Sequence, residues 1–191
     1  MTVGVLALQG DVEAHIAALR RACEGVSVSE VRSAADLDGI QGLVIPGGES
    51  TTMLKLMGYY GLFEPLKRFG SNKPIFGTCA GAILLAKEVL SPAQDSLDLI
   101  DLTIERNAYG RQIESQVVKL TGHSLGGDPE LEAVFIRAPK IRRVGPGGAV
   151  LASYAGDPVL VEFGRHMAAT FHPELTADTR IHRLFTERMK A

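Results

Sequence analysis

One cysteine of this chain is set for nucleophilic chemistry. Cys79 stands in Gly77-Thr78-Cys79-Ala80-Gly81, between Lys73-Pro74-Ile75-Phe76 and Ala82-Ile83-Leu84-Leu85-Ala86-Lys87-Glu88. The first run predicts a short buried strand and the second a helix, so the thiol falls on a sharp strand-to-helix turn. Small neighbours let the chain reverse there. The helix start adds unpaired N–H groups and the positive end of its dipole, which favour a thiolate. The competing reading is a buried apolar thiol, which is what most free cysteines are. A base for Cys79 comes from far downstream. Met167 to Phe171 is strand-like and ends in His172-Pro173-Glu174. An imidazole at the end of a neighbouring strand reaches such a turn. Glu174 then bends back to its other nitrogen and holds the tautomer, and Pro173 stiffens the connection. An oxyanion site is the third part. Gly42 to Ile45 reads as a strand running into Pro46-Gly47-Gly48-Glu49-Ser50-Thr51-Thr52. Its glycines let backbone N–H groups approach a ligand. The N–H groups of Gly48 and Ala80 are the expected donors to a developing oxyanion. Ser50 or Thr51 is the expected cap of a helix over Met53 to Met57. The bland alternative is an ordinary glycine-rich loop or a weak phosphate loop; no Gly-Lys-Ser/Thr follows at Walker spacing.

Those residues need a parallel sheet to bring them together, and the chain reads as α/β. Val3 to Leu8 is a continuous apolar strand, as expected where both faces are covered. Asp11 to Glu24 predicts a helix with Val12, Ile16, Leu19 and Cys23 along one face, which makes Cys23 core filler. Ser27 to Val31, Gly42 to Ile45 and Pro74 to Phe76 continue the strands. Such alternation places a ligand site at the strands' C-terminal ends, where Gly48 and Cys79 fall. From about Leu99 the period changes. Leu102 to Glu105 and Gln112 to Val118 alternate like strands with one wet face, and Phe135-Ile136, Val150 to Tyr154, Val159 to Phe163 and Met167 to Phe171 add further strands. Asp178 to Met189 predicts a closing helix with Ile181, Leu184 and Phe185 inward. The expected fold is therefore one domain over residues 1–191: a mostly parallel central sheet flanked by helices, with additional antiparallel strands in the C-terminal half. Gly122 to Pro129 is the expected mobile loop.

Composition excludes several classes. The 191 residues suit one domain with a sizeable core. A net charge of −2 argues against nucleic-acid or membrane-surface partners. No apolar stretch is long enough to span a bilayer, and the first residues lack the pattern of a signal peptide. Two cysteines make no disulfide framework, and the chain reads as cytoplasmic. His15, His123, His166 and His182 show no metal-ligand spacing and read as structural or solvent-exposed. Arg106 reads either as a surface ion-pair former or, through its planar fork, as a partner for an amino-acid carboxylate. Arg137-Ala138-Pro139-Lys140-Ile141-Arg142-Arg143 reads as a solvated basic face.

These blocks resemble a known family, almost end to end. Gly4 to Gly10, Pro46 to Thr52, Phe76 to Gly81, Glu105 to Gln112, Phe135 to Pro139 and Phe171 to Thr176 are similar to the class I, triad-type glutamine amidotransferases. Within them, the chain looks like the glutaminase subunits of two-component pyridoxal 5′-phosphate synthases. The resemblance implies a flavodoxin-like fold and a relay of Cys79, His172 and Glu174. It implies that L-glutamine is held by Gly48, Glu49, Ser50, Arg106, Ile136 and Arg137. That would leave Lys140, Arg142 and Arg143 available for other contacts. It further implies that ammonia passes to a (β/α)8-barrel synthase subunit in a hetero-oligomer, and that no metal or organic cofactor is needed. Rival readings are a cysteine peptidase of related fold, the glutaminase of a different class I amidotransferase, or a non-catalytic scaffold of the synthase.

Overall fold

Apolar runs too continuous for a one-sided sheet form the centre of the molecule in a computed structural model, which describes residues 1–108 and 115–190. The strands are β1 (Thr2–Leu6), β2 (Ser27–Val31), β3 (Gly42–Ile45), β4 (Ile75–Thr78), β5 (Ala86–Leu90) and β6 (Ile100–Glu105). They continue as β7 (Gln116–Thr121), β8 (Glu130–Phe135), β9 (Lys140–Val144), β10 (Gly148–Tyr154), β11 (Asp157–Phe163) and β12 (His166–Ala169). The helices are α1 (Val12–Ala22), α2 (Ser50–Tyr59), α3 (Phe63–Asn72), α4 (Ala80–Leu85) and α5 (Arg180–Arg188).

The main sheet has seven strands in the order β10-β11-β12-β4-β3-β1-β2. The run from β12 to β2 is parallel, while β11 and β10 add an antiparallel edge. Side chains alternate across this sheet with the two-residue period of a strand. Val3, Val5, Val44, Phe76, Met167 and Ala169 pack under α1 and α5 with Leu19, Ile181 and Phe185. Leu43, Ile45, Ile75 and Ala168 face the other way, onto Met53 and Met57 of α2 and Leu66 of α3. Each fully buried Leu, Ile or Phe contributes about 1.5–3 kcal/mol, so both faces must stay covered. A three-stranded sheet β5-β6-β9 and the hairpin β7-β8 complete the C-terminal half, giving the α/β architecture with antiparallel additions that the pattern predicts. The turn between β7 and β8 is held by Arg180, which donates to the carbonyls of Gly126, Asp128 and Glu130.

Several elements depart from expectation. The helix after Cys79 stops at Leu85, and Ala86–Leu90 is a strand. Ala, Lys and Glu favour helix locally, but parallel pairing with β6 and a hydrogen bond from Thr103 Oγ1 to Glu88 at 2.7 Å outweigh that preference. The fully buried residues of α1 are His15, Ala18, Leu19 and Ala22, and Val12 and Ile16 of the expected row are partly buried against the same core. Cys23 is half-buried in extended backbone at the helix end, so it is not core filler. The last four residues of the basic cluster open strand β9, and the three cations there are engaged. Lys140 pairs with Asp157 at 3.0 Å, Arg142 with Glu105 at 2.6 Å, and Arg143 with Asp101. Of the expected strand Gln112 to Val118, the first three residues lie outside the described residues, and β7 begins at Gln116. The last four residues of the Glu105 to Gln112 block lie outside them too.

Candidate active site

The ends of β3, β4 and β12 lie side by side, and each delivers one part of the site. Ala169 pairs with Thr78 in the parallel ladder, and the Cys79 N–H donates to the Ala169 carbonyl at 2.8 Å. Cys79 then turns with φ 47 and ψ −103, a backbone conformation strained for any residue but glycine. That turn lifts the thiol off the sheet and starts α4 at Ala80, whose N–H has no partner within the helix. Gly81 lets α4 sit directly on the sheet, since a Cβ there would fall 2.0 Å from the Ile45 carbonyl oxygen.

His172 follows β12 and is fixed by its own backbone, which donates to the Val134 carbonyl of β8 at 2.8 Å. Pro173 opens one turn of 3-10 helix, Pro173–Leu175, which brings Glu174 back beneath the ring. His172 Nδ1 donates to Glu174 Oε1 at 2.8 Å, and the imidazole and Cys79 line the same cavity. Burial alone would lower the His172 pKa. The hydrogen bonds and charges of Cys79 and Glu174 outweigh it and push the imidazole up to about 10. His172 therefore stands protonated against Sγ, the setting from which a cysteine attacks as thiolate. Cys79 is 7% exposed, His172 9% and Glu174 4%: the relay is nearly dry but opens on one side.

That side is a cavity of about 320 Å³, of a size for a small polar ligand. Gly48, Glu49, Ser50, Arg106, Ile136 and Arg137 all line it with Cys79 and His172. The loop after β3 packs against the relay: a Cβ on Gly47 would come within 2.4 Å of His172 Cε1. The cap of α2 is Glu49, not Ser50 or Thr51. Its carboxylate accepts from the N–H groups of Thr51 at 3.2 Å and Thr52 at 2.7 Å, and from both hydroxyls. Partial burial works against this charge, but those hydrogen bonds hold Glu49 down at about 2. Ser50 is the first helical residue and donates to Gln94 Oε1 at 3.0 Å. Arg106 Nη2 reaches Glu49 Oε1 at 3.4 Å, so one cation and one carboxylate stand together at the mouth. Arg137 leaves β8 with φ 45 and is exposed. The Ile136 carbonyl lies 3.9 Å from Sγ. A larger groove, about 490 Å³, lies between Leu37 and Phe69, away from any nucleophile.

A thiol, an imidazole bonded to a carboxylate and a pocket with a cation at its mouth thus stand together at the ends of these strands. Residues 5–191 match the SNO glutamine amidotransferase family. The chain belongs to that family. It is 56% identical, over 98% of both chains, to a protein of Solibacter usitatus named pyridoxal 5′-phosphate synthase subunit PdxT. A protein of the same name from Brevibacillus brevis is 50% identical over 100% of this chain and 98% of its own. Among solved structures, one described as a glutamine amidotransferase superposes with a TM-score of 0.90 at 46% identity, covering 99% of each chain. A more distant glutamine amidotransferase, from Thermotoga maritima, shares the fold with a TM-score of 0.61 at 14% identity, over 99% of this chain and 83% of its own.

Sequence reasoning missed four residues here. Gln9 lines the cavity, and its Oε1 accepts from the Glu49 N–H at 2.8 Å; its signal was a polar residue ending an apolar strand run. Thr78, His15 and His182 lie behind the relay, all buried. His15 and His182 do fall on helix faces beside apolar residues, but a polar residue on such a face carries no local mark of its partner.

Proposed function

We propose that this protein hydrolyses the side-chain amide of L-glutamine through a thioester on Cys79. We propose further that it supplies the ammonia to a (β/α)8-barrel synthase subunit that makes pyridoxal 5′-phosphate in the cytoplasm. The observation that carries the reading is the Cys79–His172–Glu174 chain opening on a pocket with Arg106 at its mouth, in a member of the glutamine amidotransferase family. Relatives named as pyridoxal 5′-phosphate synthase subunits support the destination of the ammonia.

The side-chain carbon of glutamine takes the attack of the Cys79 thiolate, and its carbonyl oxygen becomes an oxyanion against the N–H groups of Gly48 and Ala80. His172 gives its proton to the leaving nitrogen, and ammonia departs. Water, deprotonated by the same imidazole, then opens the thioester to glutamate and restores the thiolate–imidazolium pair. Glu174 keeps the proton of Nδ1 in place and stabilises the imidazolium. The fork of Arg106 suits the α-carboxylate of the substrate, with Glu49, Ser50, Ile136 and Arg137 completing the pocket. The test is ammonia release from glutamine, measured with and without the barrel synthase. Turnover is expected with the partner present and is expected to vanish in Cys79→Ala, with folding and docking intact. Normal turnover in Cys79→Ala overturns the assignment.

A further inference from the structure

The relay does not end at Glu174. Its Oε1 is taken by His172, while its Oε2 is buried and, among the described residues, lacks a hydrogen bond of good geometry. The side chain facing that oxygen is His15, whose Nε2 lies 3.4 Å away. The same Nε2 lies 3.1 Å from Thr78 Oγ1, on the residue before the nucleophile. On its far side, His15 Nδ1 is 3.2 Å from His182 Nε2 of α5. Both imidazoles are 0% exposed.

We infer that His15 is a positioning residue of the relay: as its Nε2–H tautomer it sits between Glu174 Oε2 and Thr78 Oγ1, and His182 holds it there by donating Nε2–H to its Nδ1. This deepens the amidohydrolase reading and rests on it for its effect on turnover. The tautomers follow from the partners. An ionised carboxylate oxygen buried without a donor is costly, so the nitrogen facing Glu174 carries the hydrogen. Nδ1 of His15 is then the acceptor, and His182 must donate. The opposite assignment aims a nitrogen lone pair at the carboxylate and leaves a buried N–H of His182 without a partner, because His182 Nδ1 meets none among the described residues. Burial first, then the neighbouring His182 and His172, keeps His15 neutral. Burial and then Arg21 hold His182 down to about 4. The pair thus places a neutral N–H beside Glu174 Oε2, without a second positive charge that would compete with His172 for the carboxylate. His15 also joins the two segments that must stay aligned, the end of β4 and the turn after β12.

The ionisable groups around the chain are Cys79 and Glu174 against His172, His15 and His182 behind them, and Arg21 against His182. Three measurements test the inference. In the wild-type protein labelled with ¹⁵N-histidine, His15 and His182 are expected as neutral Nε2–H tautomers near neutral pH; an Nδ1–H tautomer or a charged ring at His15 overturns it, with no variant needed. In His15→Met, alkylation of Cys79 by iodoacetamide, followed by mass spectrometry to separate it from Cys23, is expected to report a shifted pH profile; an unchanged profile counts against positioning. Glutamine turnover in the complex with the synthase is expected to fall on the order of tenfold or more in kcat with little change in KM. His15→Gln, which keeps an N–H donor, is expected to restore much of it. Loss of thermal stability alone, with kcat and the alkylation profile unchanged, reduces His15 to a packing residue. Absence of glutamine turnover in the wild-type complex sinks the amidohydrolase reading, while the tautomers and the alkylation profile still decide the role of His15.

Discussion

At the floor of the site, Cys79, His172 and Glu174 are buried and each is fixed through the backbone: a ladder bond to Ala169, a bond to Val134, a single 3-10 turn. At the rim, Glu49 and Arg106 are fixed by side chains, with the carboxyl of Glu49 44% exposed and a 3.4 Å contact between them. Water screens Glu49 at the rim, but neither the 11% exposed side chain of Arg106 nor the floor, so equal charges are worth different amounts at Glu49 and below it. On the proposed function, the floor holds one geometry of reacting atoms, and the rim exchanges one ionic partner for another when a ligand carboxylate arrives at Arg106. The floor should therefore govern chemistry and the rim should govern capture.

The largest effect expected from that contrast is at the base. His172→Asn should lower kcat by about 10³–10⁴-fold with a native-like melting curve; a loss of under tenfold would remove His172 from the floor. Next, Arg106→Met should raise KM for glutamine by about ten- to a hundredfold while leaving kcat near its original value. An equal fall in kcat would place Arg106 with the reacting groups instead. Third comes pH. Burial lowers the His172 pKa, but hydrogen bonds and charge from Cys79 and Glu174 raise it to about 10. The proton needed by the leaving nitrogen is thus present at neutral pH and lost as pH rises through that value. Initial rates of the complex should fall along that limb, and a limb at 6.5 would mean that the ring stands unpaired. The smallest effect is at the cap. Glu49 is depressed from 4.5 to about 2, so its contribution to stability is present above 4.5 and fades as pH falls toward 2. Glu49→Gln should cost about 0.5–1 kcal/mol after allowance for exposure. The difference in melting temperature between the two proteins should shrink across that window, and a constant difference would contradict the cap.

How much of this was readable before folding depends on the kind of residue. The thiol turn was legible because two glycines and a cysteine at a change of period admit few other conformations. The His172-Pro173-Glu174 unit was legible because its members are two residues apart and one turn joins them. The cap of α2 was misplaced by one or two residues, since Glu49, Ser50, Thr51 and Thr52 all carry acceptors and only the path of the chain chooses among them. The buried face of α1 was offset for a simpler reason. Ranking residues by apolarity skips His15, so the expected stripe of Val12, Ile16, Leu19 and Cys23 follows the edge of the buried face and runs one residue past it at Cys23. Lys140, Arg142 and Arg143 looked unengaged because their carboxylates lie on other strands.

By itself, the sequence determined the turn that carries the Cys79 thiol, the alternation of buried strands and the parallel sheet that presents loops at one end, because each rests on local periodicity and on residues with few permitted conformations. Only the tertiary structure decided that Ala86–Leu90 pairs as a strand, that Glu49 caps α2, and that two histidines 167 residues apart meet behind Glu174. The physical reason is that apolar burial leaves a repeating pattern along the chain, whereas a buried hydrogen bond is a match between two single groups whose separation in sequence carries no signal.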